Sequence, residues 1–302
     1  MKVVVTGGNG FLGRHVVRAL EREGADVWAP KSSEFDLRNP QACNDLMCSN
    51  GMIDAVVHLA ARVGGIGDNT ARPGTFLYEN AMMGLQLLEQ ARQCGVQKFL
   101  TVGTACMYPD EAPIPTPESA LWDGPPAHDT GAYAHAKRLI LAQSLAYAEQ
   151  YDFNTTFVMP SNLYGPGDRT THVLPSLVRK FYDAIDDGEP VLLWGSGSPT
   201  RDFLYVEDAA EAIALVLFYY NDPQPLNLGT GIETPIWALA QAIKYETGFT
   251  GDIMWDPTRP EGTLRRALDC SLIRDVVGWT AKTPLNVGLP RYLEWYEGMR
   301  NE

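Results

Sequence analysis

Val3-Val4-Val5-Thr6-Gly7-Gly8-Asn9-Gly10-Phe11-Leu12-Gly13 lies near the start of the chain, and its reading decides the fold. A β-branched run ends in glycines, and an apolar stripe at Leu12, Val16, Val17 and Leu20 follows. That order predicts a strand over 3–6, a tight turn, and a helix over 11–23. Gly7, Gly10 and Gly13 keep GxxGxxG spacing, and Gly8, Gly10 and Gly13 keep GxGxxG spacing. Glycines let the backbone approach a pyrophosphate, and the helix N-terminus offers N–H groups and the positive end of its dipole. Gly7, Gly8, Asn9, Gly10, Phe11 and Leu12 therefore form a candidate dinucleotide turn.

Outward from this turn, strand-like and helix-like segments alternate. Strands are expected over 25–29, 53–60, 98–102 and 155–159. The Val56-Val57 centre suits a strand covered on both faces. A helix is expected over 75–94, closed by Gly95, and another over 132–150, which holds no Gly or Pro. Alternation of this kind predicts the α/β class, a Rossmann-type doubly wound parallel sheet. After Pro160 glycine and proline become frequent, as in Tyr164-Gly165-Pro166-Gly167. Residues 1–160 are read as a dinucleotide-binding domain to which some later segments return. Residues 161–302 are read as mainly a smaller C-terminal α/β substrate lobe, with no clean linker between.

Composition removes several classes of function. The 24 Lys and Arg against 37 Asp and Glu leave a charge of −13, without the basic face that nucleic acid requires. Hydrophobic residues make up 45% of the 302, too many for an intrinsically disordered chain. The five cysteines are odd in number and lack CxxC spacing, so a disulfide scaffold or zinc site is not expected and a reducing cytoplasm fits. The histidines are scattered, and no metal is expected. No apolar run approaches the ~20 residues of a membrane span.

The chemistry concentrates in a few places. Tyr133 and Lys137 are four residues apart, on one helix face, where an ammonium can stabilise a phenolate. Thr104 ends the strand over 98–102, at the sheet edge where ligands bind. After the second strand comes Ala29-Pro30-Lys31-Ser32-Ser33, where an acidic residue would hold a free ribose 2′-hydroxyl. Lys31 and Ser32 suit a 2′-phosphate, which points to NADP(H) and leaves NAD(H) open. Asp36, with Leu37 beside it, is placed to reach the adenine amine.

With Leu59-Ala60-Ala61 after the third strand, these residues resemble the extended short-chain dehydrogenase/reductases over nearly the whole chain. Narrower runs resemble the GDP-L-fucose synthases. They include His58 to Ile66, Gly103-Thr104-Ala105-Cys106-Met107-Tyr108-Pro109 and Met159-Pro160-Ser161-Asn162-Leu163-Tyr164. They continue with His172-Val173-Leu174-Pro175, Trp194-Gly195-Ser196-Gly197, Arg201-Asp202-Phe203 and Arg259-Pro260-Glu261-Gly262-Thr263.

That resemblance implies epimerisation at C3 and C5 of a GDP-4-keto-6-deoxy-hexose, followed by reduction of the C4 ketone with NADPH. It implies Cys106 as base and His172 as acid, with Thr104, Tyr133 and Lys137 serving the reduction. Pro160, Asn162 and Leu163 would border the nicotinamide. Arg179, Lys180, Trp194, Arg201 and Arg259 would meet the GDP, with Asn162 and His172 at the sugar. It also implies a homodimer in which the helices over 75–94 and 132–150 form a four-helix bundle. Epimerase-only or reductase-only activity on a related sugar such as a GDP-heptose stays open, as does a non-catalytic NAD(P)-binding regulator. Ala105-Cys106 stands where a 4,6-dehydratase would carry an Asp-Glu pair.

Overall fold

The computed structural model describes residues 1–48, 51–169, 171–259 and 262–300. The chain begins with β1 (Lys2–Thr6), α1 (Phe11–Arg22), β2 (Asp26–Trp28), α2 (Pro40–Cys48) and β3 (Ala55–His58). Next come α3 (Ile66–Ala71), α4 (Pro73–Gln93), β4 (Lys98–Val102), α5 (Gly131–Tyr151) and β5 (Asn154–Pro160). The five strands lie parallel in the order β2-β1-β3-β4-β5. The chain winds from β1 to β2, then crosses back so that β3 lies on the other side of β1. That reversal opens a crevice at the carboxyl ends of β1 and β3, directly beyond the glycine turn.

The interior strands follow the sequence pattern closely. Val3, Val4 and Val5 are fully buried, as are Val56 and Val57, because helices cover both faces. Burying each such side chain is worth about 1.5–3 kcal/mol relative to exposure. The short helix α2 has no counterpart in the sequence reading. Its buried side chains, Cys43, Leu46 and Met47, are too few to show a periodic stripe.

The second half contributes β6 (Asn162–Tyr164), α6 (Val173–Asp187), β7 (Val191–Trp194), β8 (Thr200–Arg201), β9 (Phe203–Tyr205) and α7 (Val206–Tyr219). It ends with β10 (Leu226–Leu228), β11 (Thr234–Pro235), α8 (Ile236–Glu246), β12 (Ile253–Asp256), α9 (Ser271–Val277) and α10 (Leu285–Arg300). Strand β10 joins the first sheet beside β5, in parallel. Helix α7 packs there too: Ala209, Ala210 and Ile213 share a core with Val16, Leu20 and Val57. A separate core gathers Phe181, Leu193, Leu239 and Tyr292 from α6, β7, α8 and α10. Two-stranded pairs β6–β9, β7–β12 and β8–β11 complete this part.

Among the described residues, no helix is long and apolar enough to cross a membrane. One expectation is corrected. Cys48 and Cys94 are joined in a disulfide, with 6.1 Å between their Cα atoms. They lie 46 residues apart, and only the packing of α2 along α4 brings their ends together.

Candidate active site

The glycine turn is shaped by close approach. Gly7 has φ +73°, and a Cβ there would lie 2.7 Å from the Ala60 nitrogen. A Cβ on Gly13 would lie 2.1 Å from the Gly7 carbonyl oxygen. The Gly10 N–H donates to that same oxygen at 2.9 Å and closes the turn. Gly10 also begins α1 without any side-chain cap on the first N–H groups. Bare backbone against a helix N-terminus fits a pyrophosphate. Gly8 lies behind the turn, where a Cβ would meet the Ala29 side chain at 2.7 Å. The Asn9 side chain donates to the Ala29 carbonyl and ties the turn to the end of β2.

The turn forms one wall of a cavity of about 1520 Å³ that runs between the two cores. All the predicted site residues line it except Gly8 and Arg259. One end holds Lys31, Ser32, Asp36 and Leu37. Both Asp36 oxygens accept from Arg38, at 2.8 and 2.7 Å, and this guanidinium holds the carboxyl down at about 2. Arg38 also donates to Glu79, which in turn accepts from Arg62 at 3.0 Å. The Asp36 carboxylate is thus engaged by protein rather than open to an adenine amine alone. Arg38 lines the cavity and was not foreseen.

The middle of the cavity carries Leu59, Ala60 and Ala61 from the end of β3, with Pro160, Asn162 and Leu163 from β5 and β6. Lys137 is 2% exposed. Its Nζ donates to the Val102 carbonyl at 2.9 Å and lies 6.0 Å from the centre of the Tyr133 ring. Burial draws this ammonium down to about 8. Tyr133 departs from expectation. Burial, then the adjacent Cys106, push its phenol well above the ordinary value. Tyr133 therefore rests protonated. Behind Lys137, burial and the lysine's charge hold His58 neutral, down at about 3.

Thr104 caps a short turn over Ala105–Met107, its hydroxyl accepting from the Cys106 N–H at 3.2 Å. That cap aims the Cys106 side chain into the cavity. Burial pushes the Cys106 thiol up. The Arg266 guanidinium, hydrogen bonds from Thr130 and Thr104, and Arg201 together outweigh it and leave the thiol below its ordinary value. Arg266 Nη1 is 3.5 Å from Cys106 Sγ. His172 begins α6 on the cavity wall. Burial depresses its imidazole, and the Asp168 carboxylate opposes that.

At the far end stand Arg179, Lys180, Trp194 and Arg201. Arg201 donates from Nη1 to the Thr200 and Thr263 carbonyls, both at 2.7 Å. Burial, reinforced by Arg266, lowers it to about 10. Trp194 is 56% exposed, so it serves the cavity and not a core. Lys180 and Arg259 each stack 5.5 Å from a Trp194 ring centre. Arg259 sits off the cavity wall and pairs with Asp256 at 3.4 Å. Pro260 and Glu261 of its run lie outside the described residues. Arg266 was missed because 160 residues separate it from Cys106 and no local pattern marks it.

This geometry agrees with what the chain is similar to. The pattern of the NAD dependent epimerase/dehydratase family matches residues 3–229. GDP-L-fucose synthase 1 of Arabidopsis thaliana is 37% identical over 301 residues, covering 98% of this chain and 93% of that one. The crystal structure of a GDP-L-fucose synthetase from Naegleria fowleri superposes with a TM-score of 0.90 at 29% identity, covering 99% of this chain and 94% of that one. A GDP-mannoheptose C4 reductase from Campylobacter jejuni with NADP bound superposes with a TM-score of 0.89 at 27% identity, covering 98% of each chain. The chain belongs to the NAD dependent epimerase/dehydratase family, and within it to the GDP-L-fucose synthases.

Proposed function

We propose that this protein converts GDP-4-keto-6-deoxy-mannose to GDP-L-fucose, epimerising C3 and C5 and then reducing the C4 ketone with NADPH. The observation that carries the reading is that Thr104, Cys106, Tyr133, Lys137 and His172 line the same cavity as the glycine turn. Bound with its pyrophosphate on that turn, the nicotinamide cofactor supplies a hydride. Lys31 and Ser32 favour a 2′-phosphate, and the NADP-bound Campylobacter jejuni relative supports that choice.

The protein's own residues supply the rest. The C4 ketone acidifies the C3 and C5 hydrogens. Cys106 takes a proton from one face of the sugar, the electron pair moves onto the C4 oxygen, and His172 returns a proton on the other face. Tyr133, held protonated, then gives its proton to the C4 oxygen, with Thr104 hydrogen-bonding that oxygen. Lys137 orients the nicotinamide ribose. Arg179 and Arg201 hold the diphosphate, since guanidinium matches its oxygens bidentately, Lys180 adds a point charge, and Trp194 offers a face to the guanine. Asn162 positions the sugar.

The test is incubation with GDP-4-keto-6-deoxy-mannose and NADPH in D₂O. NADPH oxidation with deuterium at C3 and C5 is expected, and the absence of both sinks the proposal. A second reading, reduction of a GDP-heptose, rests on the likeness to the Campylobacter jejuni C4 reductase. The same assay with a 4-keto-heptose separates the two. The partner state proposed is a homodimer. Helices α4 and α5 pack on each other and leave Leu77, Tyr78 and Leu139 exposed, as a four-helix bundle across a two-fold axis requires. A monomer in light scattering would overturn it. The cytoplasm is the proposed location, and the Cys48–Cys94 disulfide is the one feature that a reducing compartment would open.

A further inference from the structure

We infer that Arg266 makes Cys106 a base, its guanidinium seated against the sulfur as the fixed counter-ion of the thiolate that receives the substrate's proton. This deepens the proposed epimerisation and rests on that reading for its role in turnover. The pairing itself needs no substrate.

Arg266 is held in place on its other side. Its side chain is 14% exposed, and Nη2 donates to the Thr263 hydroxyl at 3.0 Å and reaches Asp110 at 3.4 Å. The Thr263 hydroxyl itself donates to Asp110 at 2.6 Å, and the Thr263 carbonyl accepts from Arg201 at 2.7 Å. One threonine thus braces both arginines beside the thiol. With Nη2 engaged by Thr263 and Asp110, Nη1 is the nitrogen turned to Cys106 Sγ, at 3.5 Å.

The other two free cysteines act as internal controls. Burial raises all three thiols. It carries Cys43 up to about 12 and Cys270 higher still, and no cation opposes it at either. Only at Cys106 is burial overcome. The charged and titratable groups acting at Cys106 are Arg266, Arg201 and Tyr133; Asp110 and Asp129 act in turn on Arg201, and Asp110 also pairs with Arg266. Arg266 is the strongest of the cations acting on it. In the step, the C–H bond breaks, its proton passes to Sγ, and its electron pair moves to the C4 oxygen. A thiolate paired with a guanidinium accepts that proton without an uncompensated charge in the cavity before the step.

The experiment measures iodoacetamide alkylation of Cys106 against pH, read by the mass of its peptide, in the native protein, Arg266→Met and Arg266→Lys. The native midpoint should fall below the ordinary thiol value of about 8.5. R266M should raise it by about one unit or more, slowing alkylation at pH 7 about tenfold, with R266K between. Deuterium exchange at C3 and C5 should fall in parallel at pH 7. A native midpoint at or above the ordinary value overturns the inference even if no variant folds. So does an R266M profile that matches the native one. A shifted midpoint in a protein that exchanges no deuterium would instead sink the proposed function and leave the pairing standing.

Discussion

Cys106 and Tyr133 sit side by side, and their environments push them in opposite directions. Arginines draw the thiol down, while burial and the neighbouring sulfur keep the phenol up. In the proposed mechanism the pair divides the labour of a base and a proton donor at one pH. Cys106→Ser should reduce deuterium exchange by at least about a hundredfold, because a serine hydroxyl does not ionise near neutrality. Tyr133→Phe should reduce NADPH oxidation by about 10²–10⁴-fold while exchange continues. Measured on one preparation by NMR and by absorbance at 340 nm, the two variants should fail in different assays. Loss of both signals in each variant would show that the two steps are not separable. At this scale the sequence named Thr104, Cys106, Tyr133, Lys137 and His172. It could not show that Lys137 bonds to the Val102 carbonyl, since strand β4 supplies that oxygen from 35 residues away.

Among the elements, the β1–turn–α1 unit is the most legible, because every feature that builds it is local. β-branched residues make the strand, positive φ needs Gly7, and the close approach of α1 needs Gly13. The Gly13→Ala variant tests this unit. Its Cβ would lie 2.1 Å from the Gly7 oxygen and 2.6 Å from the Gly8 Cα, both rigid backbone atoms. The helix must then move off the turn. NADPH affinity, followed by fluorescence titration, should weaken at least about tenfold, with about 1–3 kcal/mol lost in stability. Unchanged affinity would place the nucleotide elsewhere. Helices α4 and α5 were legible for the same local reason: α4 is long and closed by Gly95, and residues 132–150 of α5 hold no Gly or Pro. Helix α2 was not. Nine residues with three buried side chains give too few turns for a period to emerge.

On the scale of the molecule, Asn227 ties the parts that build the site. It lies on β10, the last strand to join the main sheet. Its Nδ2 donates to the Thr116 and Asp269 carbonyls, each at 2.9 Å, and its Oδ1 accepts from the Tyr108 hydroxyl at 2.7 Å. Its backbone N–H donates to Glu118 at 2.9 Å. One buried side chain thus joins the segment after Cys106 to the segment after Arg266. Asn227→Ala would remove the acceptor of the Tyr108 hydroxyl and this donor to the Asp269 carbonyl, while the Thr116 carbonyl keeps the Asp269 N–H. A loss of about 2–4 kcal/mol is expected, read as a lower urea midpoint. A shift under about 0.5 kcal/mol would show that water replaces those bonds readily.

The sequence by itself determined the parallel sheet and the glycine turn, and it named the side chains proposed to react. Hydrophobic period, glycine spacing and short motifs are properties of neighbouring residues, and they are readable without a fold. Only the tertiary structure decided that Arg266 meets Cys106, that Arg38 takes hold of Asp36 and Glu79, that Cys48 meets Cys94, and that β10 completes the sheet. Those contacts depend on how the crossover helices pack and where the chain turns back. A charge's effect falls off over a few ångströms of space, and most of these partners lie far apart along the chain. A guanidinium 160 residues away therefore leaves no trace in the local pattern until the chain has folded.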